Sequence, residues 1–298
     1  MSETVAAVRT EDLIRDAMAP GLTPVERQTW LEDAASCFRR HGVISIRDTI
    51  PRAAVAAVLD HIRARHDAHL APGQRKLYRN LNDDPKRGLS SPAIDGPLAN
   101  PEFFAAPSVL GLARKLAGDK IIVGELGLVV SHAGAEAQAV HRDSTSIFGG
   151  PEVTLDLPPF SLNVLIPLVD VTLGMGPTEF WPGSHRNYDR ASATAEPPHR
   201  IPLNAGSVLI IDSRLLHRGG ANIEGPVRPV VYFSFHRPWY VETSGYEYRP
   251  QVRVTPAMLL RLPEEYRSLF AWALHLNRTD SFQEFAFRWL LRFRRQLV

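Results

Sequence analysis

The stretch GSVLIIDSRLLHRGGANIEGPVRPVVYFSFHRPW, residues 206–239, holds two apolar, β-branched runs separated by glycine and proline. Ser207 to Ile211 and Val230 to Phe235 read as strands, with turn signals at Gly219-Gly220 and Gly225-Pro226 between them. The same texture recurs upstream at Ile121 to Val123, Leu126 to Val130 and Ser161 to Val169. Many short strands broken by turn residues predict a sandwich, a barrel or a jelly roll.

Helical signals flank this core. Thr23-Pro24-Val25-Glu26 predicts a helix start, with Thr23 as N-cap, Pro24 in the first turn and Glu26 closing a capping box. That helix should run to about Arg40 and stop at Gly42, followed by a short strand, Val43 to Ile46. Pro51 opens a second, alanine-rich helix to about His69, and Pro107 to about Ala117 is a third. Residues 71–106 are rich in Pro, Gly, Asn and Asp and read as a long loop. Helical periodicity returns after Pro256. The expected class is therefore α+β with a mainly β core, as one domain over 1–298. Its helical part covers about 1–118, its β core about 119–240 and a helical extension about 250–298.

Composition narrows the function classes. The formal net charge of +2 gives no reason to expect a nucleic-acid partner. Only four of the 34 basic residues are lysines, and the arginines are scattered, as on a solvated surface. Cys37 is the lone cysteine, which excludes an internal disulfide and a cysteine-rich zinc site and suits a reducing cytoplasm. The acidic start MSETVAAVRTEDLIRD lacks the apolar core of a signal peptide, and no apolar run is long enough for a membrane span.

The chemistry starts at Gln138-Ala139-Val140-His141-Arg142-Asp143. On an extended chain alternate side chains share a face, so His141 and Asp143 point the same way. His217 follows the strand Ser207 to Ile211 and supplies a third donor. Two imidazoles and one carboxylate on one face of an iron leave the opposite positions open for a bidentate co-substrate and dioxygen. The HxD spacing alone is weak, since such a pair turns up on many surfaces. Arg228 strengthens it. Gly225-Pro226 is expected to turn a hairpin that returns Arg228 beside the metal, where a guanidinium can grip a distal carboxylate with two parallel hydrogen bonds.

The blocks HRD (141–143), NVLIPLVD (163–170), GPTEFWPGSH (176–185), GSVLIIDSRLLHRGGAN and RPVVYFSFHRPW (228–239) together resemble the phytanoyl-CoA dioxygenase family of iron(II)/2-oxoglutarate oxygenases, over about residues 36 to 240. The resemblance implies a double-stranded β-helix, a jelly-roll variant, with helices packed outside. It implies His141, Asp143 and His217 as iron ligands and Arg228 as partner of the far carboxylate of 2-oxoglutarate. Gln138 and Thr178 match positions that contact the co-substrate, and Asn163 opens a strand toward the same cavity. Pro182 to His185 reads as a turn at the barrel rim. Trp181 and Trp239 read as packing, and His132 and His236 as core or rim residues. Halogenating relatives carry a small residue where this chain has Asp143, so oxygen transfer or desaturation is expected instead of halogenation.

The implied reaction couples 2-oxoglutarate and dioxygen to oxidation of an unactivated C–H bond in a small organic molecule. Hydroxylation is the first expectation, with desaturation and cyclisation as variants. Tyr78, Arg79, Asn80 and Asn82, with the segment 144–150, are candidate walls for the substrate. The C-terminal segment Phe282 to Val298 is basic and amphipathic. It suits packing on the barrel first and self-association into a homo-oligomer second. Two rivals remain: a cupin-like metal enzyme that needs no 2-oxoglutarate, and a silent ligand-binding barrel. Arg228 argues against the first and the intact ligand set against the second.

Overall fold

The structure, a computed structural model, describes residues 8–70, 84–144, 157–187, 189–223, 225–240 and 252–275, with the backbone alone for 66–70 and 275. The candidate walls at Tyr78, Arg79, Asn80, Asn82 and 145–150, and the segment Phe282 to Val298, lie outside these residues.

The first helix, α1 (Pro24–His41), forms where the capping box predicts. Glu26 N–H donates to Thr23 Oγ1 while the Glu26 carboxylate accepts from Thr23 N–H at 2.8 Å. It ends at Gly42, whose φ of 73° is left-handed. A side chain there would press a Cβ 2.5 Å from His185 Nδ1, so this glycine also lets the rim turn approach. The chain then enters β2 (Val43–Arg47), α2 (Arg52–Leu70) and, later, α3 (Pro101–Phe104) and α4 (Pro107–Ala117).

The core is a jelly roll of two sheets. The large sheet has the order β1-β2-β8-β5-β10-β4-β3. Its strands are β1 (Ile14–Asp16), β2, β3 (Arg87–Ser90), β4 (Ile122–Ser131), β5 (Ser161–Pro167), β8 (Val208–Asp212) and β10 (Arg228–His236). All pairs are antiparallel except β1 with β2. The small sheet, β7-β6-β9, contains β6 (Thr178–Phe180), β7 (His199–Arg200) and β9 (His217–Gly219). One face of the large sheet is sealed by helices: Phe103 and Phe104 pack on Phe233 of β10, and Phe104 also meets Tyr266 and Phe270. The other face, carrying every second residue of β4, β5 and β10, looks across a cavity at the small sheet.

Four expectations need correction. Residues 84–106 are not a plain loop: they carry β3, a 3-10 turn over Gly96–Ala99 and α3. β3 is polar and short because it is an edge strand, held by its ladder to β4 and not by an apolar pattern. The runs at 121–123 and 126–130 are one strand, β4, interrupted by a bulge opposite Ser234 and Phe235. Residues 138–143 form no regular strand; His141 makes a single bridge to His217. Finally, β9 and β10 are not the arms of a hairpin. They belong to different sheets, and the chain between them crosses from one to the other.

Candidate metal centre

His141, Asp143 and His217 converge. One ligand-type atom from each lies within 4.8 Å of the others, and among the described residues no other group of three His, Cys, Asp or Glu does so. Backbone pairing builds the geometry. His141 and His217 exchange both N–H···O bonds at 3.0 Å, which sets their rings 4.4 Å apart. Asp143 follows two residues on, with its N–H donating to Ser213 O at 2.9 Å. Alternation holds locally without a strand: the intervening Arg142 points away and donates to the carbonyl oxygens of Arg214, Ser184 and Asn187.

The tautomers can be derived. His141 Nδ1 lies 2.8 Å from Ala139 O, and His217 Nδ1 lies 3.0 Å from Leu215 O. A carbonyl oxygen only accepts, so each Nδ1 carries the proton and each Nε2 presents a lone pair. Those lone pairs face the carboxylate: His141 Nε2 is 3.5 Å from Asp143 Oδ1, and His217 Nε2 is 3.3 Å from Oδ2. Three electron-rich groups at such distances repel unless a cation sits among them. Two nitrogens and one oxygen, each oriented by a backbone hydrogen bond or an amide, suit a divalent transition metal with open positions. Burial alone would raise the Asp143 pKa, but His217, His141 and the Asn163 amide together hold it down to about 2. Burial would also lower that of His141, yet the hydrogen bond its protonated ring can donate to Asp143, and the charge of that carboxylate, raise it; in His217 burial wins and lowers it.

Beside the triad lies a cavity of about 370 Å³. Arg228 enters it from β10, 4% exposed. Its Nη1 donates to Met175 O at 3.3 Å, while its Nε has no acceptor among the described residues. Burial first, and the neighbouring Arg87 second, push its pKa down to about 9, so it stays protonated at neutral pH. An orphaned cation donor in a closed wall costs about 1–3 kcal/mol until an anion satisfies it. Gln138 lines the same region, its Oε1 accepting from Gly219 N–H at 2.8 Å. Thr178 sits opposite Gly219 in the small sheet, facing the cavity. A Cβ at Gly219 would lie 2.7 Å from both Arg87 Nη1 and Gln138 Oε1, so either side-chain tip would have to move from its present place. Asn163 also lines the cavity, but its Nδ2 donates to Asp143 Oδ2 at 2.5 Å.

Arg87 is the residue that sequence reasoning missed. Its Nη2 donates to Glu136 O and Gly220 O, and its buried Nη1 has no acceptor among the described residues. The loop-like composition around it hid the edge strand that aims it inward. Glu125 and Tyr232 line the wall further along β4 and β10 from Arg228. Trp181 is buried packing with its indole N–H donating to Glu196 O, whereas Trp239 is 58% exposed. His132 and His236 are buried outside the cavity, and His236 Nδ1 has no partner among the described residues.

Known proteins share this architecture. A dioxygenase of Aspergillus fumigatus, af480, is 25% identical over 239 residues, covering 78% of this chain and 72% of its own. Among solved structures, the epimerase SnoN in complex with Fe3+, alpha ketoglutarate and nogalamycin RO superposes with a TM-score of 0.55 at 20% identity, covering 78% of this chain and 98% of its own. The alpha ketoglutarate dependent carbocyclase SnoK superposes with a TM-score of 0.51 at 17% identity over 80% and 95%. Residues 38–230 match the phytanoyl-CoA dioxygenase (PhyH) family throughout. Jelly roll, converging donors and family match agree, and the chain belongs to the phytanoyl-CoA dioxygenase family of non-haem iron(II)/2-oxoglutarate-dependent dioxygenases.

Proposed function

We propose that the whole chain forms one catalytic unit that hydroxylates an unactivated C–H bond of a small organic molecule, with iron held by His141, Asp143 and His217. The observation that carries this reading is the pair of Nε2 lone pairs aimed at one carboxylate, next to a buried cation with no anion among the described residues. Bound iron(II) and 2-oxoglutarate supply the oxidant: dioxygen and 2-oxoglutarate become succinate and carbon dioxide as one oxygen atom enters the substrate.

The chain's own residues do the rest. Ala139 O and Leu215 O fix the imidazole tautomers so that Nε2 faces the metal position. Arg228, with Arg87 beside it, receives the distal carboxylate of 2-oxoglutarate, and Gln138 and Thr178 border the same end. Leu89, Val129 and Val230 make that half of the wall apolar around the co-substrate chain. Glu125, Tyr232 and Asn163 lie toward the other end, where the organic substrate enters. Holding both reactants in one closed wall is the protein's contribution to rate.

The experiment is anaerobic titration with iron(II), then addition of 2-oxoglutarate, dioxygen and a metabolite library. One iron per chain, lost in Asp143→Ala, and succinate stoichiometric with a product one oxygen atom heavier are expected. Failure of the native chain to bind iron, or succinate formation unchanged in Asp143→Ala, would overturn the reading. SnoN is named an epimerase and SnoK a carbocyclase, so product mass also separates hydroxylation from those outcomes.

A further inference from the structure

A chain of three side chains runs from the metal position into the large sheet, and it stands apart from the co-substrate end. Asn163 Nδ2 donates to Asp143 Oδ2 at 2.5 Å. The Ser234 hydroxyl donates to Asn163 Oδ1 at 2.5 Å. Asn163 and Ser234 are directly opposed on β5 and β10, and both are buried, at 5% and 0% exposure. Ser234 Oγ also lies 3.3 Å from Glu125 Oε2, but the hydroxyl has one proton and the shorter contact takes it.

The donor inventory makes this arrangement directional. The Asp143 carboxylate settles the amide orientation: it only accepts, so the NH2 faces Asp143 and the oxygen faces Ser234. The Ser234 hydroxyl then donates to the oxygen so placed, which anchors the amide at its far end and holds the NH2 on Asp143. Asp143 has 35% of its side chain exposed, and the amide restrains rotation about its Cβ–Cγ bond. The Asn163 bond engages Oδ2 and leaves Oδ1, which accepts nothing from Asn163, to the metal.

Resting on the ligand set proposed above, we infer that Asn163 is a positioning residue for the metal-binding carboxylate and that Ser234 acts through it by fixing the amide. The pair restrains Asp143 to a one-oxygen grip. A carboxylate that instead chelated through both oxygens would occupy a position that the co-substrate or dioxygen requires. Asn163 does this job from beside the reacting groups and takes no part in the chemistry.

The test is iron(II) affinity, measured anaerobically without 2-oxoglutarate, for native protein, Asn163→Leu, Ser234→Ala, the double variant and Asp143→Ala. Loss of a partner behind a metal ligand weakens binding by about 10- to 100-fold, and that range is expected for Asn163→Leu. Ser234→Ala should weaken binding less, by roughly 5-fold, because the amide persists but can rotate. The double variant should bind like Asn163→Leu alone, since Ser234 reaches the Asp143 carboxylate through Asn163 and its other contact, Glu125, is not one of the three donors. A purely structural defect would give additive losses instead. Unchanged affinity in Asn163→Leu, or additive losses in the double variant, overturns the inference. Should Asn163→Leu fail to fold, Ser234→Ala decides: native affinity overturns the inference, and a several-fold loss carried equally by Ser234→Val supports it. Native protein that binds no iron, or Asp143→Ala that binds it normally, defeats the ligand assignment itself and is distinguishable from these results.

Discussion

Replacing Arg228 by methionine removes a buried cation while keeping most of its volume. In the native structure its Nε lacks an acceptor among the described residues, its Nη1 has one long bond to Met175 O, and Arg87 lies close enough to depress its pKa. A carboxylate docking there relieves both the unsatisfied donor and the repulsion. Truncating one partner of a desolvated charge pair costs about 2–5 kcal/mol, and the low end applies because Arg87 Nη1 remains as a second donor. A loss of about 2–3 kcal/mol is a 30- to 150-fold weaker Kd for 2-oxoglutarate. The assay is calorimetric titration of 2-oxoglutarate into anaerobic iron(II)-loaded protein. Iron affinity should stay within about threefold of native, because Arg228 touches none of the three ligands. The ligand-free variant should melt at or above the native temperature, since an uncompensated buried charge has been removed. A 2-oxoglutarate Kd within about threefold of native would refute the anchor assignment, and a lower melting temperature would refute the argument that this cation is under-satisfied.

Arg87→Met should weaken 2-oxoglutarate by roughly 10-fold in the same titration, less than Arg228→Met, because Arg87 is already engaged by Glu136 O and Gly220 O. Gly219→Ala would drive a methyl group to 2.7 Å from both Arg87 Nη1 and Gln138 Oε1. Urea unfolding should show a loss of about 1–3 kcal/mol, with weakened co-substrate binding. Burial above all holds His185 and His236 down to about 4, below the ordinary 6.5. The unfolded chain therefore takes up protons first as pH falls, and stability declines from pH 6.5 toward 4. Each histidine should subtract about 2 kcal/mol by pH 5, read as a lower urea midpoint, and a midpoint equal at pH 7 and 5 contradicts their burial as neutral groups. Thr23→Ala should cost about 1 kcal/mol in the same measurement, since it removes a capping box.

The sequence displays some of this design openly and hides the rest for definable reasons. Capping chemistry is local, so Thr23, Glu26 and Gly42 mark the ends of α1 within a residue. Apolar, β-branched runs are also local, and β5, β8 and β10 fall where they do. β3 was invisible because its stability comes from partners elsewhere in the chain: Arg87 pairs with Ser131, forty-odd residues on, and its own composition is that of a loop. The same non-locality concealed Arg87 as a cavity residue and made β9 and β10 look like a hairpin.

The convergence of His141, Asp143 and His217 was legible for a different reason. His141 and Asp143 need only two-residue alternation, which survives although residues 138–143 form no strand. A single bridge between His141 and His217 supplies what a strand would have supplied: a fixed distance between two backbones and a shared face. The irregular chain there is itself useful. A regular strand at 138–143 would pair further along β9, burying Asp143 in a ladder; instead its side chain stays open to the cavity, within reach of the Asn163 amide from the facing sheet. The proposed metal position therefore lies between the two sheets, lined by residues of both. One sheet contributes the imidazole of His217, the other contributes the restraint on Asp143, and the stretch between strands contributes the ligands that must meet them.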